Sequence, residues 1–153
     1  MLRKLIRTNP DAAPAILRLG LGAVFFAHGA QKVLGWWGGQ GFTATLRGFE
    51  HGGIPAVFAC LAIAAEFLGG IGLILGLLGR VAAFGIFCVM VVAIAKVSAV
   101  NGFFMNWSGR QKGEGFEYHL LVLAMTAAIM IAGSGAWSVD RVLARSAAPV
   151  AHR

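Results

Sequence analysis

Four apolar segments, each close to the length of a membrane-spanning helix, constrain the fold of this chain more than any other feature. They run from about 14 to 34, 54 to 78, 81 to 100 and 118 to 133. Crossing about 30 Å of hydrocarbon takes roughly 20 residues at 1.5 Å per residue, and the fourth segment is the shortest. Because the bilayer core offers no water to backbone polar groups, such segments must be helical. The sequence therefore predicts an all-α membrane protein, a bundle of four transmembrane helices.

The composition favours the same class of protein. Of the 153 residues, 58% are hydrophobic and 12% are charged, whereas soluble domains are roughly 45–50% apolar and about 25% charged. The 22 glycines suit helices that approach one another closely in a membrane. A formal net charge of +7 is compatible with a nucleic-acid partner. However, no basic patch with interleaved aromatic residues lies on a soluble segment, so we expect contact with lipid and no nucleic acid.

The distribution of Lys and Arg predicts the orientation of the bundle. Eight of these residues fall on the side of the two termini and five on the opposite side, and the positive-inside rule places the excess in the cytoplasm. We therefore expect a cytoplasmic N-terminal segment 1–13, a four-helix domain 14–140 and a cytoplasmic tail 141–153. The basic start before an apolar run also resembles a secretory signal, but Arg18 interrupts that run.

The connections between the apolar segments differ greatly in length. Residues 78–80 form such a short link that the second and third segments must make an antiparallel helical hairpin on the cytoplasmic side. The two outer connections, 35–53 and 101–116, are long, rich in Gly and carry Trp residues suited to the membrane interface. Because long loops are often functional, we expect a functional site on the outer side.

Ionisable residues within the apolar segments are the main functional signal. A charge at the centre of a span costs roughly 2.5–3.5 kcal/mol, so such residues are functional candidates. Glu66 lies near the middle of the second segment, and His28, Gln31 and Lys32 share one face of the first. Helical side chains lean toward the N-terminus of their own helix. On antiparallel helices, Lys32 or His28 can therefore meet Glu66, which we predict to be a catalytic proton relay.

Each of these residues also has a purely structural interpretation. Glu66 is compatible with an inert hydrogen-bonded carboxyl group, and Lys32 with a side chain that extends to the membrane interface. His28 is equally compatible with a packing histidine. These alternatives remain open from the sequence.

Further polar residues mark the ends of the third and fourth segments. We predict that the ligand-binding residues are His28, Lys32, Lys96, Asn101 and Glu117. Glu117 also fits a charge that stabilises the positive end of a helix dipole. Arg18, Arg80 and Asp140 lie at cytoplasmic ends and are interpreted as anchors and caps. Cys60 and Cys88 lack metal-ligand spacing, so we expect packing residues and no metal site, with a redox role of the pair left open.

Five stretches distributed along the chain carry a family resemblance. They are 28-HGAQKVLGW-36, 65-AEFLGGIGLILGLLGR-80, 101-NGFF-104, 115-GFEYHLLVL-123 and 133-GSGAWSVDR-141. In this order they resemble the DoxX family of small bacterial membrane proteins, which implies a four-helix bundle in the bacterial inner membrane. The family takes its name from a subunit associated with thiosulfate:quinone oxidoreductase, and some members are linked with membrane oxidoreductase complexes that handle thiol stress. The positions that match the family's motifs are His28, Gly29, Lys32, Glu66, Asn101, Gly102 and Glu117.

Two hypotheses about function follow from the residues and the resemblance together. In the first, the chain is a subunit of a quinone-linked oxidoreductase for sulfur compounds or thiols. Lys32, His28 and Asn101 would donate hydrogen bonds to a quinone, Glu66 would pass protons, and a partner protein or the substrate would supply electrons. In the second, the chain is a non-catalytic membrane scaffold or small-molecule-binding module that partners another protein. A transporter is a weaker fit because four spans are few for alternating access, unless the glycine-rich second segment supports a homo-oligomer.

Overall fold

The computed structural model describes residues 5–146 and contains no strand within that range. The expectation of an all-helical chain is therefore confirmed for the described residues. The main helices are α1 (Ala12–Leu34), α2 (Gly41–His51), α3 (Ala56–Leu75), α4 (Gly79–Ala93), α5 (Glu117–Ala132) and α6 (Val139–Ser146). A short 3-10 turn, Trp36–Gly38, follows α1. A π-helical turn, Ile94–Ser98, and a 3-10 turn, Ala99–Asn101, extend α4.

Three helical stretches are long and apolar enough to cross a membrane. They are α1 with 23 residues, α3 with 20 residues, and α4 with its extension, Gly79–Asn101, with 23 residues. Helix α5 is also apolar but has 16 residues, which gives a length of about 24 Å at 1.5 Å per residue. The chain is thus a multi-pass membrane protein with at least three spans.

Helices α1 and α3 pack closely because glycines lie where the two backbones meet. A Cβ atom added to Gly29 would collide with the backbone of Phe67, and one added to Gly22 would lie 2.9 Å from the backbone nitrogen of Ile74. From the opposite helix, a Cβ on Gly70 would meet the backbone of Phe26. Without a hydrophobic force between helices in lipid, such close approach supplies the packing energy of the pair. These glycines therefore serve a contact between two helices of the same chain.

The apolar core joins four helices. Because lipid surrounds the bundle, many large apolar residues remain exposed on its outer surface, while the contacts between helices fill the centre. The buried cluster consists of Leu21 and Phe25 from α1, Leu73 from α3, Ala83, Ile86 and Met90 from α4, and Val122 and Ile129 from α5.

The link between α3 and α4 is the tight turn that its length predicted. It comprises residues 76–78, and Gly76 and Leu78 adopt left-handed backbone conformations with φ of 64° and 49°. The carboxylate of Asp140 accepts hydrogen bonds from the N–H groups of Leu78, at 2.8 Å, and Gly79, at 3.0 Å. Asp140 therefore caps the beginning of α4, in agreement with its interpretation as a cap.

Arg18 is 1% exposed and binds no carboxylate. Its guanidinium instead donates to five backbone carbonyl groups at distances between 2.6 and 3.1 Å, which lie at the end of α3 and in the turn before α6. The acceptors are the carbonyl oxygens of Leu73, Ile74, Ser134, Ala136 and Trp137. Arg18 thus satisfies carbonyl groups that a helix end leaves without intrahelical partners.

Ser134 connects Arg18 with Asp140. Its carbonyl oxygen accepts from Arg18 Nε at 2.7 Å, and its hydroxyl donates to Asp140 Oδ2 at 2.5 Å. Arg80 completes this end of the bundle, since it donates to the carbonyl oxygens of Met130 and Arg7. We call this the Arg18 end of the bundle, and the opposite end, which carries Lys32, the Lys32 end.

Two segments are more ordered than the sequence indicated. The first long connection contains α2, and its 11 residues were expected to be part of a loop because glycines flank and interrupt them. Helix α6 begins at Val139 and crosses the expected boundary between the domain 14–140 and the tail 141–153. Of the two expected cytoplasmic segments, residues 1–4 and 147–153 lie outside the described part of the chain.

Candidate functional site

An ion pair between Lys32 of α1 and Glu66 of α3 forms the centre of the candidate site. Lys32 Nζ contacts Glu66 Oε2 directly. The Glu66 side chain is 8% exposed and that of Lys32 is 24% exposed, so the pair is largely buried between the helices. No other salt bridge occurs among residues 5–146. Of the two pairings predicted for Glu66, with Lys32 or with His28, the structure contains the one with Lys32. Gly29, one turn before Lys32, lets the two helices approach.

The ion pair forms part of the wall of a large cavity between α3 and α4. The cavity has a volume of about 940 Å³. Four of the six predicted site residues line it: His28, Lys32, Glu66 and Lys96. Residues 28, 32 and 66 come from two helices and Lys96 from the π-helical turn after α4, so the tertiary structure brings together groups that are far apart in sequence.

Tyr118 and His119, at the beginning of α5, also line the cavity. His119 Nε2 lies 3.4 Å from the hydroxyl of Ser98, and its Nδ1 is buried without a hydrogen-bond partner in the described structure. Neither residue was predicted to belong to the site, although both follow Glu117 at the start of the fourth apolar segment. The sequence could have indicated them, because the fourth segment begins at the same end of the bundle at which Lys32 lies.

The π-helical turn Ile94–Ser98 positions two of these groups. It carries the exposed Lys96 towards the cavity and the buried Ser98 towards His119. A π-helical turn changes the direction of the side chains that follow it, and such turns occur frequently at functional sites. This change was not predicted from the sequence, because the turn contains no Pro or Gly that would mark it.

Asn101 and Glu117 lie outside the cavity and hold the long connection 102–116. The side-chain amide of Asn101 donates to the carbonyl oxygen of Glu114 at 3.1 Å. The carboxylate of Glu117 accepts from the backbone N–H of Met105 at 2.8 Å and from Trp107 Nε1 at 3.4 Å. The structure thus separates these two residues from His28, Lys32, Glu66 and Lys96. That they bind a ligand stays a prediction.

The remaining candidates can be placed briefly. Cys88 is exposed and lines the cavity, whereas Cys60 is half-buried and does not. Both are free thiols. Within residues 5–146, no group of His, Cys, Asp and Glu side chains is arranged to hold a metal ion.

The comparison with protein families concerns the part of the chain that forms most of this site. The family model described as DoxX matches residues 13–99. The chain belongs to the DoxX family. The match contains the stretches 28–36 and 65–80 that carry the resemblance in sequence, and with them the Lys32–Glu66 pair. It also contains Lys96. The other three stretches of this DoxX chain, and with them Tyr118 and His119, follow the matched range.

One curated relative and the solved structures complete the comparison. The DoxX chain is 28% identical over 114 residues to a protein of Bacillus subtilis (strain 168) named "Putative oxidoreductase CatD". The alignment covers 74% of this chain and 75% of the relative. No solved structure matches the chain.

Proposed function

We propose that this chain is a subunit of a quinone-linked membrane oxidoreductase and that the cavity beside Lys32 and Glu66 binds the quinone. The observation that carries the proposal is an ion pair at the wall of an apolar cavity between membrane-spanning helices. Polar groups at such a depth are costly and mark functional sites by default. The name of the Bacillus subtilis relative, an oxidoreductase, supports the same class of chemistry.

The residues at the cavity suit the two tasks of a quinone site. Lys32, His28, Lys96 and Tyr118 carry hydrogen-bond donors that can contact the ring oxygens of a quinone. Glu66 has a carboxylate that can accept a proton and pass it on, with Lys32 beside it to hold the position of the carboxylate. Full reduction of a quinone to a quinol consumes two electrons and two protons.

We assign electron delivery to a partner protein that oxidises a thiol or another reduced sulfur compound. For a thiol, two RSH groups form one disulfide and release two electrons and two protons. The quinone takes up both electrons and both protons to become a quinol, so the overall reaction is balanced without a further oxidant.

The membrane arrangement is the second part of the proposal. We infer four transmembrane helices, α1, α3, α4 with its extension, and α5, in the bacterial inner membrane, with both termini in the cytoplasm. The apolar character of α5 supports the fourth span, and the distribution of Lys and Arg supports the orientation. The Lys32 end then lies in the outer half of the bilayer. Residues 14–140 form one domain between the cytoplasmic segments 1–13 and 141–153.

The orientation can be tested with single cysteines in a variant that lacks Cys60 and Cys88. A cysteine at Gly109 in the connection 102–116, and another at Ala144 in α6, should react with a membrane-impermeant maleimide from opposite sides of intact cells and inverted vesicles. We expect only the cysteine at position 109 to react in intact cells. Labelling of both positions from the same side would contradict the four-span arrangement.

The redox proposal predicts a strong loss of activity in Glu66→Gln. Inverted membrane vesicles from a producing strain would be given a thiol, and quinol formation would be followed by absorbance. At equal amounts of folded protein, we expect Glu66→Gln to lower the rate by about a hundredfold, the size of a typical general acid–base contribution. Glu50→Gln is the matched control, because Glu50 is exposed on α2 and does not line the cavity.

Two outcomes would contradict the redox proposal. One is that vesicles with and without the chain form quinol at the same rate with every sulfur donor tested. The other is that Glu66→Gln folds normally and reduces quinone as fast as the wild type. In either case, the scaffold or small-molecule-binding alternative becomes the better description of the chain.

A further inference from the structure

The cavity has an uneven distribution of polar groups along its length. Its ionisable and hydroxyl side chains, those of His28, Lys32, Glu66, Lys96, Tyr118 and His119, lie towards the Lys32 end. Phe49, Ile54 and Phe58 also line the cavity at the Lys32 end. From Glu66 the cavity continues along α3 and α4 to Leu75 and Val81 at the Arg18 end, with Cys88 the one weakly polar side chain on that part. The cavity is therefore amphiphilic, with a polar end and a long apolar groove.

Small residues create the apolar groove. On α3, Ala62, Ala65, Gly69 and Gly72 follow one another at helical spacing and line the cavity. A Cβ atom added to Gly85 of α4 would lie 3.1 Å from the Cβ of Ala65. The backbones of α3 and α4 thus come close at the bottom of the groove, and larger side chains line its sides.

The groove opens towards lipid. Leu68 of α3 and Phe84 of α4 line it and are each about 60% exposed. Both belong to stretches that are long and apolar enough to cross a membrane, so the open side of the groove faces the hydrocarbon. From Glu66 to Leu75 the groove extends for nine residues, or about 14 Å at 1.5 Å per residue.

We propose that this groove holds the polyprenyl tail of the quinone and that the quinone reaches the site sideways from the bilayer, between α3 and α4. This inference rests on the proposed function, because it assigns the ring to the polar end beside Lys32 and Glu66. The substrate class is then a lipid-soluble quinone with a long isoprenoid tail. The tail runs from the ring towards the Arg18 end.

Depth favours this occupant over a phospholipid. A phospholipid keeps its headgroup in the interfacial region, whereas Glu66 lies in the middle part of α3. A ring with two carbonyl oxygens fits a polar end that offers several donors.

The tail gains little energy by leaving lipid for an apolar groove, since lipid tails are as apolar as the residues that line it. The groove therefore acts by shape, and obstruction of it should exclude a tailed quinone by steric conflict. Cys88→Trp places a large side chain in the groove at an exposed position, without disturbing the buried core. Val91→Trp is the matched control, since Val91 is 44% exposed on the same helix but lies outside the cavity.

The experiment measures binding of two ring-azido quinones with the same ring, one with a long isoprenoid tail and one without a tail. Wild type, Cys88→Trp and Val91→Trp are reconstituted in quinone-free nanodiscs, and photo-crosslinking is measured against the mole fraction of quinone in the membrane. We expect Cys88→Trp to bind the tailed quinone about tenfold more weakly, because the indole occupies the space that the tail would take. It should bind the tailless quinone as the wild type does, and Val91→Trp should bind both as the wild type does.

The possible failures can be told apart. If the wild type crosslinks neither quinone, the proposed function fails. If the wild type crosslinks both and Cys88→Trp loses neither or loses both equally, the tail assignment fails while the quinone site stands. If oxidation of a Cys60→Ala variant in the membrane forms a Cys88–Cys88 disulfide between two chains, a second copy covers the groove and the tail assignment is overturned. An azido-phospholipid that crosslinks to Phe84 in competition with the tailed quinone would overturn it as well.

Discussion

Replacement of either partner of the ion pair alone should destabilise the protein, and replacement of both together should restore much of the loss. Lys32→Met leaves the carboxylate of Glu66, which is 8% exposed, without its cation, and Glu66→Met leaves Lys32 without its anion. Removal of one partner from a buried pair costs about 3–5 kcal/mol because the other charge remains uncompensated. A pair of apolar residues of similar volume is often neutral or stabilising instead.

The measurement is thermal unfolding of purified protein in a mild detergent, together with the yield of folded protein. Lys112→Met and Glu50→Gln serve as controls, because both residues are exposed and neither belongs to the pair. We expect the controls to unfold within about 0.5 kcal/mol of the wild type. Single variants as stable as the wild type, or a double variant no better than the worse single one, would show that the two charges are not coupled.

The double variant Lys32→Met/Glu66→Met also separates the two functional hypotheses. If it folds and assembles but reduces no quinone, the pair has a chemical role beyond helix packing. If it folds and keeps every activity of the wild type, the pair serves only to fix α1 against α3. The scaffold alternative predicts the second result.

Replacement of Arg18 should have an equally large effect at the other end of the bundle. Arg18→Met removes five hydrogen bonds to backbone carbonyl groups at once. A buried acceptor left without a partner costs about 1–3 kcal/mol, and several are affected together. Arg18 also holds Trp137, whose φ of 51° is a conformation that costs a non-glycine residue energy. We expect a loss of at least about 3 kcal/mol in the free energy of unfolding.

Arg18→Lys tests the geometry of this cap separately from its charge. An ammonium group has three donors on one atom and cannot reach five acceptors spread over two segments, whereas a guanidinium has five donors in a fixed plane. The lysine variant should therefore recover only part of the stability. Arg47→Met, at an exposed position of α2, is the control and should change stability by about 0.5 kcal/mol or less. Full rescue by lysine would show that charge alone matters at position 18.

Several features of the fold follow from single stretches of sequence. The apolar segments determine helices because a backbone in lipid must satisfy its own hydrogen bonds. Their bounds agree to within a few residues with α1, α3, α4 with its extension, and α5. The link predicted at 78–80 lies at 76–78, and it makes an antiparallel hairpin because three residues cannot lead α4 away from α3. The lean of side chains towards the helix N-terminus was enough to expect that Lys32 or His28 meets Glu66.

Other features could not be read from local patterns. Helix α2 lies in a segment that glycines made resemble a loop, and it becomes helical in the context of its neighbours α1 and α3. The π-helical turn at Ile94–Ser98 contains no Pro or Gly that would mark a change of helix type. Asn101 and Glu117 were predicted to belong to the same site because they lie near the ends of apolar segments. In the structure, their side chains instead form hydrogen bonds with residues of the connection 102–116.

The sequence by itself thus determined that this chain crosses a membrane through apolar helices and that Lys32 or His28 can meet Glu66. Hydropathy and side-chain direction are properties of a single helix, so they can be read one segment at a time. Only the tertiary structure decided that Lys32 is the partner of Glu66, and that Tyr118 and His119 line the same cavity as this pair while Asn101 and Glu117 do not. It also decided that small residues on α3 and α4 leave a groove open to lipid. Those outcomes depend on how far each helix rotates and where backbones touch, which no single segment specifies.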